Sequence, residues 1–189
     1  MIEPVATHLQ LHLPEWVSAL SVGDKRYTDD AAKVALAIRL ALGNVEHDSG
    51  GPFGAAVFSA DGMLVAAGVN RVLPHSCSIA HAEIMAYALA QARLQRARLN
   101  ETGERYILAT SAQPCCQCYG ATIWAGIDEL LIGARSEDVE ELTEFDEGPL
   151  PANWIGELEK RGIAVRRDIL RDEARGVFLR YRERGGRRY

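Results

Sequence analysis

The 189-residue sequence lacks long apolar runs and an excess of positive charge, and each absence excludes a class of function. No apolar stretch approaches the roughly 20 residues that span a bilayer, so we expect no membrane partner. The formal net charge is −5, whereas proteins that contact several phosphates usually carry a basic face. We therefore expect no nucleic-acid partner. A glycine-rich phosphate-binding loop is also absent, which argues against a nucleotide substrate.

Cysteine is scarce, with four residues in the chain: Cys77, Cys115, Cys116 and Cys118. Cys115 and Cys118 belong to the metal motif described below. We expect Cys77 and Cys116 to be buried or shielded free thiols, which suits a reducing, cytoplasmic location. Residues 1–4 contain an acid and a proline in place of a basic region and an apolar run, so we expect no secretory signal.

Charged residues are concentrated in two segments near the C-terminus. Residues 160–188 contain 11 Lys or Arg against four acids, and residues 137–147 contain seven acids in 11 positions. The simplest interpretation of both segments is a solvated helix face or loop. The whole composition, 48% apolar and 25% charged, fits one compact domain over residues 1–189.

Two short motifs contain residues typical of a metal site. His81-Ala82-Glu83 supplies a histidine and a nearby carboxylate, and the segment from Pro114 to Cys118 supplies cysteines at Cys-x-x-Cys spacing. One His and two Cys are one ligand short of a closed tetrahedral zinc shell, which is the arrangement of a catalytic site with water in the fourth position. The alternative is a non-catalytic zinc-stabilised domain, in which Cys77 or Cys116 supplies the fourth ligand.

These motifs, H-x-E followed by P-C-x-x-C, resemble the signature of the zinc-dependent nucleobase deaminases. The chain resembles the cytidine deaminase superfamily and, within it, the guanine deaminase branch. Further matches are residues 50–55, Asn70 and residues 145–149, and the resemblance covers roughly residues 28–170. The family usually has Glu before Pro-Cys, whereas this chain has Gln113, so a salt bridge made there by relatives is in doubt.

The resemblance implies a cytoplasmic homodimer that binds one zinc per chain through His81, Cys115 and Cys118. It implies hydrolytic deamination of a free amino-heterocycle, most simply guanine to xanthine and ammonia; a triazine such as ammeline, guanosine or a cytosine derivative are the alternative substrates. Glu83 and Glu147 are the implied catalytic residues. The implied substrate-binding residues are Phe53, Asn70, Ala82 and Tyr189, with the C-terminal tail closing the pocket.

The apolar pattern predicts an α/β fold, a three-layer α/β/α sandwich with a mixed, mainly parallel central sheet of about five strands. Asp61-Gly62 between two apolar runs predicts a β-hairpin, and consecutive apolar positions predict a sheet covered on both faces. The predicted helices are 28–45, capped by Thr28; 79–97, capped by Ser78; one starting at Pro114; 153–161; and 170–184. The predicted strands are 53–59, 63–69, 106–110, 128–133 and 163–166.

The predicted organisation is an N-terminal arm (1–27), a catalytic core (28–170) and a C-terminal helix followed by a loose tail (171–189). Trp124 is expected in the core. Ligands in sheets of this kind gather beyond the carboxyl ends of the strands, where the following helices begin. The two metal motifs fall at such positions, so the fold and the ligand types predict the same site.

Overall fold

The computed structural model describes residues 5–20 and 25–189. Parts of the predicted arm, residues 1–4 and 21–24, lie outside the described residues. The helices are α1 (Trp16–Leu20), α2 (Asp30–Glu46), α3 (Val72–His75), α4 (Ala82–Leu94), α5 (Cys116–Ala125), α6 (Ser136–Thr143), α7 (Trp154–Glu159) and α8 (Arg171–Glu183). The strands are β1 (Gly54–Ser59), β2 (Leu64–Val69), β3 (Tyr106–Ala112), β4 (Glu129–Ala134) and β5 (Ala164–Arg166).

The five strands form one mixed sheet in the order β2-β1-β3-β4-β5. Strand β1 pairs antiparallel with β2 and with β3, whereas β3, β4 and β5 run parallel. The β1–β2 hairpin turns at Asp61 and Gly62, as predicted. This arrangement confirms the predicted α/β fold with a mixed five-stranded sheet.

Both faces of the sheet are covered, which explains why its strands are apolar at consecutive positions. Ala56 and Phe58 of β1 face one hydrophobic cluster, which also contains residues of α2 and α8. Ala55 and Val57 face a second cluster with residues of α4 and α7. Since successive side chains on a strand point to opposite faces, each strand supplies both layers.

Several predicted element boundaries were wrong, and a hydrogen bond explains one of them. Helix α2 begins at Asp30 and not at residue 28, because Asp29 and not Thr28 is its N-cap and accepts a bond from the Ala32 N–H at 2.6 Å. Helix α4 begins after His81, so Ser78 does not cap it. Pro114 precedes α5 without being its first residue.

The acidic segment 137–147 is not simply a solvated loop, because most of it forms helix α6. Asp138 in this helix is 1% exposed and accepts two hydrogen bonds from the Arg171 guanidinium, at 2.7 and 2.8 Å. Arg175 also donates to it. The basic residues of α8 thus neutralise a buried acid of α6, and the two charge clusters seen in the sequence partly pair with each other.

Trp124 was predicted to lie in the core, but 77% of its surface is exposed on α5. Cys116 is likewise exposed instead of shielded, and Cys77 is half-buried. The C-terminal tail is not loose, because the Gly186 N–H donates to the Tyr181 carbonyl at 2.9 Å and the Tyr181 hydroxyl donates to the Arg187 carbonyl at 2.6 Å. In the described ranges, none of the helices has the length and apolar character needed to span a membrane.

Candidate active site

Two of the predicted metal ligands lie at helix starts. His81 is the N-cap of α4 and Cys115 is the N-cap of α5, both with extended backbone. Neither side chain makes the capping hydrogen bond that an N-cap residue usually provides. Both are therefore free to reach beyond the helix ends, and Cys118 joins them from the first turn of α5.

The spacing of these three side chains fits a zinc ion. The His81 Nδ1 atom lies 3.4 Å from Cys115 Sγ and 3.6 Å from Cys118 Sγ, and all three ligand atoms are within 4.8 Å of one another. Tetrahedral zinc, with Zn–S near 2.3 Å and Zn–N near 2.0–2.1 Å, separates sulfur from nitrogen by about 3.5 Å. The donor types and their separations therefore match one zinc with one coordination position open.

The electrostatic environment of the Cys115 thiol favours metal binding. A hydrogen bond from Cys118, partly opposed by burial and reinforced by His81, lowers the pKa of the Cys115 thiol to about 4. The thiolate is the form that binds metal, so this site has a ligand ready at neutral pH.

Glu83 is a buried carboxyl beside this group. It is the second residue of α4 and only 7% exposed, and it accepts a hydrogen bond from Cys118 Sγ at 3.3 Å. Burial, with a contribution from the negative Cys115, raises the pKa of Glu83 to about 7. Such a carboxyl can both accept and release a proton near neutral pH.

The ligand group opens into a cavity of about 230 Å³. Its wall combines aromatic, amide and acidic side chains: Phe53, Asn70, Val72, Ser78, His81, Glu83, Gln113, Cys115, Phe145, Asp146, Glu147 and Tyr189. The structure thus brings together nearly all the residues predicted for the site. Ala82 is the exception, because its side chain is fully buried in the apolar cluster under α4 and does not line the cavity.

Asn70 presents one end of its amide to the cavity. Its Oδ1 accepts a hydrogen bond from the Val72 N–H at 3.2 Å, and its Nδ2 has no acceptor among the described residues. The residue is 1% exposed, so a donor in this place is shielded from bulk water. Asn70 is therefore suited to donate to an acceptor atom of a bound ring.

Glu147 faces the cavity from the segment after α6. The acidic segment around it has a solvated loop as its simplest interpretation, yet Glu147 is only 9% exposed. Burial and then the negative charges of Cys115 and Glu83 raise the pKa of its carboxyl to about 8. Its backbone carbonyl accepts a bond from the Cys116 N–H at 2.9 Å, which fixes this segment against the start of α5.

The C-terminal residue completes the cavity wall. The Tyr189 ring lies 4.8 Å from the Phe145 ring, centroid to centroid. Its hydroxyl lies so close to Gly51 that a Cβ at Gly51 would be 1.8 Å away. Burial raises the pKa of this phenol well above its ordinary value, so it stays protonated. The tail thus lies over the cavity, held there also by the ion pair of Arg188 with Glu144 at 3.3 Å.

Comparison with known proteins adds the deciding observation. The family described as the cytidine and deoxycytidylate deaminase zinc-binding region matches residues 27–134, which include all three ligand residues and Glu83. This chain belongs to that family. Its cofactor is zinc, and it lies in the guanine deaminase branch.

Two similar structures and one similar sequence support that branch. The structure of guanine deaminase from Nitrosomonas europaea is 42% identical with a TM-score of 0.89, covering 96% of this chain and 100% of that chain. A protein designated NE0047, in complex with 2,6-diaminopurine, is 44% identical with a TM-score of 0.90, covering 96% of each chain. The guanine deaminase of Bacillus subtilis (strain 168) is 36% identical over 105 residues, which are 56% of this chain but only 64% of that protein.

Some residues that line the cavity of this deaminase site were not predicted from the sequence. Val72, Ser78 and Asp146 line the cavity, although none of them was predicted as a site residue. Gln113, noted only as a departure from the family pattern, is 5% exposed on the cavity wall and donates through Nε2 to Ser136 Oγ at 3.2 Å. Its position directly before Pro114 could have indicated this location, since it follows the last residue of strand β3 and precedes the ligand motif.

The alternative of a closed structural zinc site does not match the geometry. In the part of the chain that the structure describes, the group with metal-binding geometry contains three residues, and neither Cys77 nor Cys116 is among them. Cys116 forms the first residue of α5 next to Gly148, outside the group. An open coordination position facing a cavity is the arrangement of a catalytic centre.

Proposed function

We propose that this chain is a zinc-dependent guanine deaminase that converts guanine and water into xanthine and ammonia. The observation that carries the proposal is Glu83, a buried carboxyl in contact with one thiol of a His-Cys-Cys group that opens into a cavity. The similarity to guanine deaminases over nearly the whole chain supports the choice of substrate.

Zinc held by His81, Cys115 and Cys118 supplies a Lewis acid and lowers the pKa of water at its open position. Glu83 accepts the proton from the attacking water and delivers it to a ring nitrogen of the base. Its raised pKa suits both steps. Catalysis by such a positioned acid–base group typically contributes 10²–10⁴-fold in rate.

The cavity wall suits a small uncharged ring. A volume of about 230 Å³ is below the range usual for drug-sized ligands and agrees with a free base. Asn70 donates to an acceptor on the ring, and Phe53 supplies an aromatic face. The lining residues include Glu83, Asp146 and Glu147 but neither Lys nor Arg, which disfavours the phosphate of a nucleotide.

The leaving amino group needs a second proton, and Glu147 is the proposed donor. Its pKa of about 8 leaves the carboxyl protonated near neutral pH, and it shares the cavity with Glu83. Tyr189 lies over the same cavity and excludes bulk water from it. Water exclusion strengthens every electrostatic interaction inside the site.

We further propose a single catalytic domain that acts in the cytoplasm as a homodimer without a nucleic-acid partner. Two exposed apolar side chains support association: Trp124 of α5 is 77% exposed, and Ile79, just before α4, is 51% exposed. Trp is enriched at protein–protein interfaces. Light scattering measures the molar mass of the purified chain and of Trp124→Arg. The proposal predicts a dimer for the wild type and a shift toward monomer for the variant.

One screen tests the substrate. Ammonia release is measured for guanine, guanosine, ammeline, cytosine, dCMP and an RNA stem-loop, with the Glu83→Gln protein as background. The proposal predicts release from guanine with stoichiometric xanthine, and little from dCMP or RNA. Robust release from dCMP alone would move the chain to another branch, and release from ammeline well above guanine would change the assigned substrate.

A further inference from the structure

Asn44 is a fully buried polar side chain inside a mainly apolar helix. It belongs to α2, whose other buried residues are almost all aliphatic, and it is 0% exposed. Burial of a polar side chain destabilises the folded protein unless its amide groups make hydrogen bonds. The amide of Asn44 is satisfied on both sides, and its partners lie next to the active site.

The Nδ2 group of Asn44 connects two backbone segments that frame the cavity. It donates to the Gly51 carbonyl at 2.8 Å and to the Asn70 carbonyl at 2.9 Å. Gly51 is the residue against which the Tyr189 hydroxyl lies, and Asn70 lines the cavity. A single amide therefore fixes the distance between the segment under the tail and the segment that presents Asn70.

The segments are closely packed around this amide. A Cβ at Gly50 would lie 2.0 Å from the Asn70 carbonyl oxygen and 2.6 Å from Asn44 Nδ2. No side chain fits between the two segments, so their separation is set by the hydrogen bonds and by glycine at this position. A shift of either segment would move Asn70 relative to the metal group.

The other end of the amide is held from the N-terminal segment. Ser49 Oγ donates to Asn44 Oδ1 at 2.8 Å and accepts from Trp16 Nε1 at 3.1 Å. This chain of bonds fixes which way the Asn44 amide is turned, so that its NH₂ group meets the two carbonyls. Trp16 lies outside the family match, which starts at residue 27.

We propose that Asn44 is a positioning residue for substrate, acting through Asn70. It touches neither the base nor the metal group; it holds the Asn70 backbone where the side chain meets the ring. The inference rests on the proposed function for the identity of the base. Because misplacement of about 1 Å can cost about 100-fold in rate, loss of this amide should be visible in kinetics.

A double-mutant cycle tests whether Asn44 acts through Asn70. The dissociation constant of 8-azaguanine and kcat/KM for guanine are measured in the wild type, Asn44→Ala, Asn70→Ala and the double variant. Asn44→Ala is expected to weaken binding about tenfold or more and to raise KM more than it lowers kcat. In the Asn70→Ala background the same change should cost less than about twofold, because coupled residues are not additive.

Two further variants separate a loss of stability from a loss of substrate positioning. Val34→Ala, also fully buried in α2, is expected to lower the melting temperature without changing affinity. Ser49→Ala leaves the bonds from Asn44 to both carbonyls in place, so it should also weaken 8-azaguanine binding, but less than Asn44→Ala does. This variant replaces Asn44→Ala in the test if Asn44→Ala does not fold. If Asn44→Ala or Ser49→Ala lowers affinity and kcat/KM by the same factor with Asn70 present and with Asn70→Ala, the inference is overturned. Tight 8-azaguanine binding without ammonia release would defeat the proposed function alone.

Discussion

The two regions that meet at the cavity are built from different interactions. The metal-bearing region, from His81 to Cys118, is built on helix starts, and its functional side chains lie within short motifs. Ion pairs between residues far apart in sequence hold the C-terminal layer, from α6 to Tyr189, together and connect it to the rest. These include Arg171 and Arg175 with Asp138, Arg135 with Asp168, and Arg184 with Asp48.

The two regions have different roles in the proposed reaction. The first region contains the groups that bind metal and move the first proton, and its geometry follows from local backbone. The second supplies Glu147 and Tyr189, which reach the cavity only because long-range contacts hold the layer in place. Damage to the first region should abolish the chemistry, whereas damage to the second should weaken it or leave it intact at lower stability.

The largest effect is expected from the metal ligands. Cys118→Ala removes one of three protein ligands from a group with an open fourth position, so zinc should be largely lost and activity with it. Elemental analysis of the purified variant measures the loss. Cys77→Ala is the matched control and should retain one zinc per chain; the opposite pattern would contradict the ligand assignment.

A smaller but still large effect is expected from Glu147→Gln. It keeps the size of the side chain but removes the proton that the leaving amino group needs, so we expect kcat to fall by about 100-fold while KM changes little. Steady-state kinetics with guanine gives both values. Unchanged kinetics would leave Glu83 to carry both proton transfers.

Truncation after Arg184 tests the tail. Removal of Tyr189 opens the cavity to water, and we expect a loss of about tenfold in kcat/KM at full zinc content. Tyr189→Phe is the matched control, since it keeps the ring against Phe145. A truncated chain with wild-type kinetics would show that closure by the tail is not needed.

The smallest effect on activity is expected from Asp138→Asn. Removing charge-assisted bonds to a buried group should lower the free energy of unfolding by about 1.5–3 kcal/mol, with kcat/KM unchanged. For a chain of this size that is a fall of about 5–10 °C in Tm, measured by thermal denaturation. A large loss of kcat/KM at intact zinc would show that the C-terminal layer takes part in the chemistry more directly.

The same acid gives a pH test. Burial raises the pKa of Asp138, but hydrogen bonds from Arg171, the Arg135 backbone and Arg175 outweigh it and lower the value from 3.8 to about 2. Because the folded pKa is below the unfolded one, this stabilisation is fully present above pH 4 and is lost as the pH falls toward about 2. The Tm difference between wild type and Asp138→Asn should therefore narrow below pH 4. A constant difference down to pH 2 would contradict this assignment.

Sequence reasoning succeeded where structure depends on neighbours in the chain. The Asp61-Gly62 hairpin and the ligands at helix starts are local features, and both were predicted. Helix α6 was missed because its acids look solvated until Arg171 and Arg175, more than 30 residues away, are known to neutralise Asp138. Trp124 is a large aromatic residue, which favours a core position, and only the packing of α5 shows that it faces outward.

The position of the tail could not be predicted for the same reason. Tyr189 packs against Phe145 and Gly51, and no local pattern connects the last residue to either. The resemblance to relatives suggested closure, and the hydrogen bonds of residues 181–187 explain how the chain returns to the cavity.

The central claim is that Glu83, and not the C-terminal layer, performs the first proton transfer next to bound zinc. The most direct measurement is the rate of xanthine formation from guanine by Glu83→Gln, with zinc content determined on the same sample. We predict one zinc per chain, unchanged Tm within a few degrees, and a rate lower by about 10²–10⁴-fold. A near-normal rate at full zinc content would contradict the account.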